Sequence, residues 1–282
     1  MKPRNLIFSA FLALTSLSAF GEELEEGFVS LFDGKSLKGW TSARSESKDD
    51  WGAFSVNEEE KAIHVYAGCE PDSKQNSDCL NTVAEYSHFI LKLEYKWAGP
   101  RFEPRRDWDR DAGLLFHVHD NLKKVWPYCL EMQIGESPGD KPNARGNKGR
   151  FHSGDLFVLR PDLTTCTPFG IVYQDDETQE GEKKKLGGFF QAEGKRKRGK
   201  HVHTLLGAEK PMGEWNEMEI QVHGSKKAIF IFNGEKVLET FDFKFKDKDG
   251  NSVPLNKGHI GLQAEWAEIL YRNIRIKELP SE

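Results

Sequence analysis

The sequence predicts an all-β protein, an antiparallel sandwich of two sheets folded as a single domain. Three observations support this: polar and apolar residues alternate along many short segments, aromatic residues make up 11% of the chain, and glycines number 26. Alternation with a period of two is typical of strands that bury one face, and aromatic residues favour sheets. No repeat of fixed period and no linker divides these segments, so one sandwich is the simplest architecture.

The N-terminal residues 1–21 have the composition of a secretory signal peptide. Two basic residues precede an apolar stretch over 6–20, and positions 19–21 offer a small-x-small cleavage site. A retained anchor is the alternative, but the apolar stretch is short for a membrane-spanning helix. We therefore expect a mature domain over 22–282, periplasmic or secreted, with no membrane contact after cleavage.

Four cysteines fit an exported protein, because an oxidising compartment allows them to pair. Cys69 and Cys79 flank a polar loop and would form one disulfide bond, with Cys129 and Cys166 as the second pair. Three connectivities are open, and the sequence does not choose among them. None of the four lies in a CxxC motif, which disfavours a thiolate metal site or a redox centre.

Alternation predicts eight strands, joined in one place by the hairpin turn Asn233-Gly234. In chain order they cover 88–97, 112–119, 129–135, 217–223, 227–232, 236–241, 258–265 and 269–277. Their apolar faces predict a shared core of Trp40, Leu91, Leu93, Phe116, Met132, Ile134, Ile220, Ile231, Ile260, Leu262 and Ile274.

Two segments do not show this alternation of polar and apolar residues. Residues 99–110 are rich in Arg, Pro and Trp and predict a long loop, and 175–203 carries basic runs typical of a solvated loop.

The whole chain has a net charge of −5, which argues against a nucleic-acid partner or an anionic membrane.

The polar faces of three predicted strands have an unusual composition. A solvated face is commonly Lys, Thr, Ser and Glu, whereas here His, Gln and Glu recur, side chains that bind sugar hydroxyls or move protons. They are His117, His119, Glu131, Gln133, His259, Gln263 and Glu265. If the strands share one curved sheet, these side chains converge in a cleft; otherwise they bond to one another on a partly covered sheet.

His117 and His119 also have the spacing of two metal ligands on one strand face. Glu131 or His259 would complete the set, as in zinc sites. Because an HxH pair does not fix the third ligand, we predict no cofactor, and a divalent cation stays open.

Six motifs resemble the 3-keto-disaccharide hydrolase domain family, in the family's order and across the mature chain. They are FVSLFDGKSLKGW at 28–40, AGLLF at 112–116, LEMQI at 130–134, GEWN at 213–216, GHIGLQ at 258–263 and RNIRIK at 272–277. The resemblance implies a secreted, concanavalin-like jelly-roll sandwich. It also implies an enzyme that cleaves 3-keto-glycosides, and hence an oxidised (3-keto) sugar or glycan as partner.

A ketone at carbon 3 acidifies the hydrogen at carbon 2, so a base can remove it while the oxygen at carbon 1 leaves. Under this resemblance, Glu131 or His117 is the expected base and His259 the expected acid. The side chains expected to bind the sugar are His119, Gln133, Gln263, Glu265, Trp108 and Trp126, although either tryptophan would also suit the core. The alternative is a carbohydrate-binding module without catalysis.

The sequence departs from the family pattern at three places near the expected cleft. His117 stands where many relatives carry Arg, Asp111-Ala112 replaces Asn-Ser, and Trp266 replaces Gly. Substrate and reaction can therefore differ from those of the relatives.

Overall fold

The computed structural model describes residues 24–47, 50–119, 121–136, 153–159, 169–175, 183–186, 199–202 and 209–281. The predicted signal peptide and Cys166 lie outside these ranges. The described residues contain nineteen strands. In chain order they are β1 (Val29–Ser30), β2 (Trp40–Ser42), β3 (Phe54–Asn57), β4 (Ala62–Val65), β5 (Asp78–Thr82), β6 (His88–Arg101), β7 (Asp111–Val118), β8 (Cys129–Gly135), β9 (Leu156–Leu159), β10 (Phe169–Asp175), β11 (Lys183–Leu186), β12 (Gly199–Val202), β13 (Asn216–His223), β14 (Lys227–Phe232), β15 (Glu235–Phe241), β16 (Lys244–Lys246), β17 (Ser252–Pro254), β18 (His259–Ala264) and β19 (Ala267–Glu278).

Two antiparallel sheets form the sandwich, which confirms the predicted fold class. The larger has the strand order β11-β10-β15-β14-β13-β6-β19-β4-β3, with β1 paired to β19, and the smaller has the order β12-β9-β8-β7-β18-β5-β2. A short pair, β16 and β17, stands apart. Within the described ranges, no helix is long and apolar enough to cross a membrane.

The core lies between the sheets and follows the predicted alternation closely. Along β6, Phe89, Leu91, Leu93, Tyr95 and Trp97 are all buried. The Asn233-Gly234 turn has positive φ at both residues, as a two-residue hairpin with a type I′ turn requires.

One residue of the predicted core is misplaced. Ile231 is half-buried on the outer face of β14, whereas Ala228, Phe230 and Phe232 face the core. Both faces of this strand are apolar, so alternation alone does not identify the inner one.

The smaller sheet is unusual because its central strands are buried on both faces. All eight residues of β7 and all seven of β8 are buried. One end of the outer face carries a small apolar cluster of Cys79, Leu115, Val118 and Cys129 with Ala43. The other end carries the polar side chains.

A bulge in β7 places His117 on a different face of the strand from the one that the sequence predicts. Val118 pairs with His259 and Leu115 with Gly261, so Phe116 and His117 together oppose Ile260. With φ at +51°, His117 turns into the core beside Phe89, Phe116 and Phe243. The extra residue breaks strict alternation, and His117 is therefore absent from the polar face where it was predicted.

The predicted disulfide bond between Cys69 and Cys79 is not formed. Both are free thiols; Cys79 is fully buried and its thiol contacts Asn81 Oδ1 at 3.4 Å. A pairing of Cys129 with Cys166 concerns a residue outside the described ranges.

Candidate functional site

Three carboxylic acids meet on the outer face of the smaller sheet, and we call them the acidic cluster. Asp111 begins β7, Glu131 lies in β8, and Glu265 directly follows β18. The strands are neighbours in the order β8-β7-β18. All three residues are at least nine-tenths buried, so their charges are poorly solvated.

Arg105 holds two of these acids together. Its Nη1 donates to Asp111 Oδ2 at 2.9 Å and to Glu265 Oε2 at 2.6 Å. The guanidinium lies 4.4 Å from the ring centroid of Trp266 and 4.8 Å from that of Trp108, positions that favour cation–π attraction. Arg105 is thus fixed by the two indoles as well as by the carboxylates.

Further donors complete this arrangement. Trp126 Nε1 donates to Glu265 Oε1 at 2.5 Å. Gln133 Nε2 lies 2.6 Å from Asp111 Oδ1 and 2.7 Å from the Ala112 carbonyl. The amide group of Gln133 is therefore used to hold Asp111 in place.

Glu131 and Gln263 differ from their neighbours because they lack such partners. No described residue donates a hydrogen bond to the Glu131 carboxyl group. The Gln263 amide is buried, and neither its oxygen nor its nitrogen has a partner among the described residues. A buried amide without partners costs free energy, and a bound ligand would supply the missing hydrogen bonds.

Gly113 allows these two side chains to meet. A Cβ atom at position 113 would lie 2.2 Å from Glu131 Oε1 and 2.3 Å from Gln263 Oε1. The two oxygens therefore converge above the glycine, in the space that any larger residue would occupy.

Burial dominates the electrostatics of the cluster. It raises the pKa of Glu131 well above the usual range, and the charges of Glu265 and Asp111 add to this increase while Arg105 opposes it. Burial and Glu265 likewise raise the pKa of Asp111, against the effects of Arg105 and Gln133. One guanidinium faces three carboxyl groups, so the cluster retains a proton at pH values where exposed carboxyl groups are ionised.

The histidines predicted for the site lie elsewhere. His259 Nδ1 is 2.9 Å from the Thr82 carbonyl, at the opposite end of β18 from Glu265. His119 packs its ring 4.9 Å from that of Phe245. His117 Nε2 donates to the Gly224 carbonyl at 2.9 Å, inside the core.

The set of metal ligands that the sequence left open is not assembled, because His117 and His119 do not converge with Glu131. Among the residues that the structure describes, no group of three or more His, Cys, Asp or Glu side chains could hold a metal ion.

The sequence model of the 3-keto-alpha-glucoside-1,2-lyase-like domain matches residues 27–277. The chain belongs to this family. The resemblance found from the sequence motifs is thereby confirmed, and the lyase-like domain is a carbohydrate-active one.

Several solved structures are similar to this lyase-like domain over most of its length. A protein from Parabacteroides distasonis, proposed to be a glycosyl hydrolase, has a TM-score of 0.52 at 17% identity, covering 90% of this chain and 95% of that one. A second protein of that organism, described in the same way, has a TM-score of 0.45 at 20% identity, covering 89% and 99%. The carbohydrate-binding module CBM66 from Bacillus subtilis has a TM-score of 0.41 at 11% identity, covering 85% and 96%. A comparison with curated proteins finds no match.

The site also contains three residues for which the sequence predicts no role: Arg105, Asp111 and Trp266. Two signals were available: Arg105 lies in the Arg-, Pro- and Trp-rich loop, and the other two are departures from the family pattern. Of the predicted sugar-binding residues, Gln133, Gln263, Glu265 and Trp126 do belong to this site, and Trp108 flanks it through Arg105.

Proposed function

We propose that this lyase-like domain cleaves 3-keto-glycosides by removing the hydrogen at carbon 2 and expelling the oxygen at carbon 1. The observation that carries the proposal is the meeting of Glu131 and Gln263 above Gly113. It combines a buried proton-transfer group with a buried amide that lacks partners. Elimination from a 3-keto sugar needs these two elements: a base, and a donor that stabilises the enolate oxygen.

The electron and proton balance of the elimination is simple. The base takes the proton from carbon 2, the electrons of that bond form the enolate of the 3-ketone, and the bond from carbon 1 to the leaving oxygen then breaks. The leaving oxygen accepts a proton, so an alcohol and an unsaturated 3-keto sugar are released. Addition of water across the new double bond gives net hydrolysis.

In this proposal Glu131 transfers the proton. A raised pKa makes its carboxylate a stronger base than an exposed one, and the protonated form can return the proton to the leaving oxygen. The Gln263 amide nitrogen donates to the ketone oxygen as negative charge develops there, and its carbonyl oxygen accepts from a sugar hydroxyl.

The other residues of the site position these two groups and the sugar. Arg105 keeps Glu265 and Asp111 in fixed places, and Trp126 and Trp266 present half-buried rings on which a sugar can stack. The proposal uses neither His117 nor His259 as base or acid, because neither contacts the cluster.

Turnover of a 3-keto-glycoside with a chromogenic leaving group tests the proposal. Glu131→Gln preserves the shape of the side chain and removes proton transfer, so we expect kcat to fall by about 10²–10⁴-fold. Glu219→Gln, on the outer face of the larger sheet beside Lys92, is the matched control and should retain full activity. Unchanged turnover by Glu131→Gln would exclude this role.

The alternative function, carbohydrate binding without catalysis, gives a different result in the same experiment. A binding module would bind glycans through the tryptophans and release no leaving group and no unsaturated ketone.

We further propose export to the periplasm or the exterior, supported by the composition of 1–21. N-terminal sequencing of the mature protein should find cleavage after position 21.

A further inference from the structure

The connection between β18 and β19, residues 265 and 266, carries the chain from the smaller sheet to the larger one. Trp266 has a φ angle of +61° there, in the left-handed region that favours glycine. Such strain persists where surrounding contacts impose it, and it concentrates at functional sites. Glycine would relax this turn, so the indole of Trp266 must contribute something that offsets the strain.

Three hydrogen bonds fix Trp266 in this conformation. Its backbone N–H donates to the Tyr66 hydroxyl at 3.2 Å, and its indole N–H donates to the Gln75 carbonyl at 2.8 Å. Its own carbonyl accepts from the Phe102 N–H at 2.9 Å. The orientation of the ring is therefore set by the protein itself.

The segments that hold Trp266 are tied to each other through their main chains. Gln75 N–H donates to the Glu103 carbonyl at 3.2 Å, and Glu103 N–H donates to the Ser73 carbonyl at 3.0 Å. Asp72 N–H donates to the Arg101 carbonyl at 3.1 Å. The segment that holds the indole is thus fixed to the loop that supplies the guanidinium of the acidic cluster.

The ring of Trp266 meets that guanidinium directly. The two are 4.4 Å apart, measured from the Arg105 guanidinium carbon to the ring centroid. The side chain of Arg105 is 19% exposed, and attraction between a cation and an indole strengthens where water is excluded. The ring therefore restricts where the guanidinium can lie, and with it the two carboxylates that the guanidinium holds.

The position of Arg105 matters for Glu131 because the two side chains interact through charge. Arg105 lowers the pKa of Glu131, whereas burial and the other two acids of the cluster raise it. Two further titratable groups near Glu131, Cys79 of β5 and Tyr271 of β19, are neutral because burial raises their pKa values. A displaced guanidinium would therefore leave Glu131 protonated up to a higher pH.

We propose that Trp266 is a positioning residue, whose indole holds the Arg105 guanidinium in the acidic cluster. Through that guanidinium, Trp266 keeps Glu131 able to accept a proton at neutral pH. The proposal rests on the proposed function, because it assigns proton transfer to Glu131. It differs from sugar stacking, since the face of the ring that meets Arg105 is not available to a sugar.

A double-mutant cycle on kcat at neutral pH, with the chromogenic 3-keto-glycoside, tests the proposal. Trp266→Gly relaxes the backbone and removes the ring, so we expect kcat to fall by about tenfold and the acidic limb of the pH–rate profile to move to higher pH. In Arg105→Gln protein the same substitution should change kcat by less than about twofold, because the guanidinium on which the ring acts is gone.

Two further variants at the same position separate the ring from the fold. Trp266→Phe retains an aromatic face and should keep kcat within about twofold of the parent. Trp266→Leu removes the aromatic face while retaining an apolar side chain, and it replaces Trp266→Gly in the cycle if the glycine variant fails to fold.

Trp215 provides the matched control, because its ring packs on two cations, Lys96 and Arg272, on the outer face of the larger sheet. Trp215→Gly should keep the parent's kcat and pH profile. An equal fall in kcat in both backgrounds, or an unmoved acidic limb, would overturn the proposal. A rise in KM alone would also overturn it and would assign the Trp266 ring to sugar binding.

The proposed function fails separately, if the parent protein does not turn over the 3-keto-glycoside. Infrared titration of the protein alone then tests the inference, since difference spectra against Glu131→Gln isolate the carboxyl band of Glu131. We expect Trp266→Gly to move protonation of Glu131 to higher pH, as Arg105→Gln does, and the double variant to move it no further. Identical titrations of parent and Trp266→Gly, or additive shifts in the double variant, would refute the inference.

Discussion

The buried imidazole of His117 should make the protein sensitive to acid. Its Nε2 proton is donated to the Gly224 carbonyl, and Nδ1 is buried without a partner among the described residues. Burial lowers the pKa of His117 from 6.5 to about 4. The unfolded chain, with an ordinary pKa, therefore binds a proton at pH values where the folded protein does not.

The sign and size of the effect follow from this difference. Because the folded-state pKa is depressed, stability is lost as the pH falls from about 6.5 toward 4, and the loss is complete below the folded-state value. The difference between a pKa of 6.5 and one of about 4 corresponds to about 3 kcal/mol of unfolding free energy.

His117→Gln isolates this contribution, because glutamine can donate to Gly224 and does not titrate. We expect the free energy of unfolding, measured with urea between about pH 7 and pH 4, to fall by about 3 kcal/mol less in the variant than in the parent. His223→Gln, at a half-buried position, is the control and should keep the parent's pH dependence. Parallel pH profiles of parent and His117→Gln would refute the reasoning.

Three further predictions concern the site. Gly113→Ala places a methyl group against the Glu131 and Gln263 oxygens and should abolish turnover at a stability cost of about 1–3 kcal/mol. Gly99→Ala is the control, because a Cβ atom at position 99 meets nothing within 4 Å. An active Gly113→Ala protein would contradict the geometry. Arg105→Gln removes the cation that lowers the pKa of Glu131, so the acidic limb of the pH–rate profile should move to higher pH, whereas an unmoved limb would show that Arg105 does not act on Glu131. Turnover should survive dialysis against EDTA; a loss that one divalent ion restores would show that a metal is required.

Much of the sandwich could be predicted because alternation is local information. Strands β8 and β14 have the predicted bounds, and the core follows the predicted faces except at Ile231. The bulge at His117 could not be predicted in this way, since it depends on pairing with β18. His259 begins β18 and Glu265 directly follows its last residue, and only the pairing of the strands shows that the two contact different surroundings.

The site was predicted in part for the same reason. Glu131, Gln133 and Gln263 were found because they alternate with core residues on paired strands. Arg105 comes from a loop, and no periodicity indicates where a loop side chain points. Its role depends on contacts with Trp266, a residue far away in sequence.

The main-chain ties between 72–75 and 101–103 bear on how this protein can diversify. These bonds join N–H and carbonyl groups, which nearly every amino acid supplies. Side chains along both segments can therefore change while the loop that begins at 101–103 and carries Arg105 keeps its place beside 72–75. Substitutions there can alter the surroundings of the acidic cluster without moving Arg105 or the carboxyl groups that it holds.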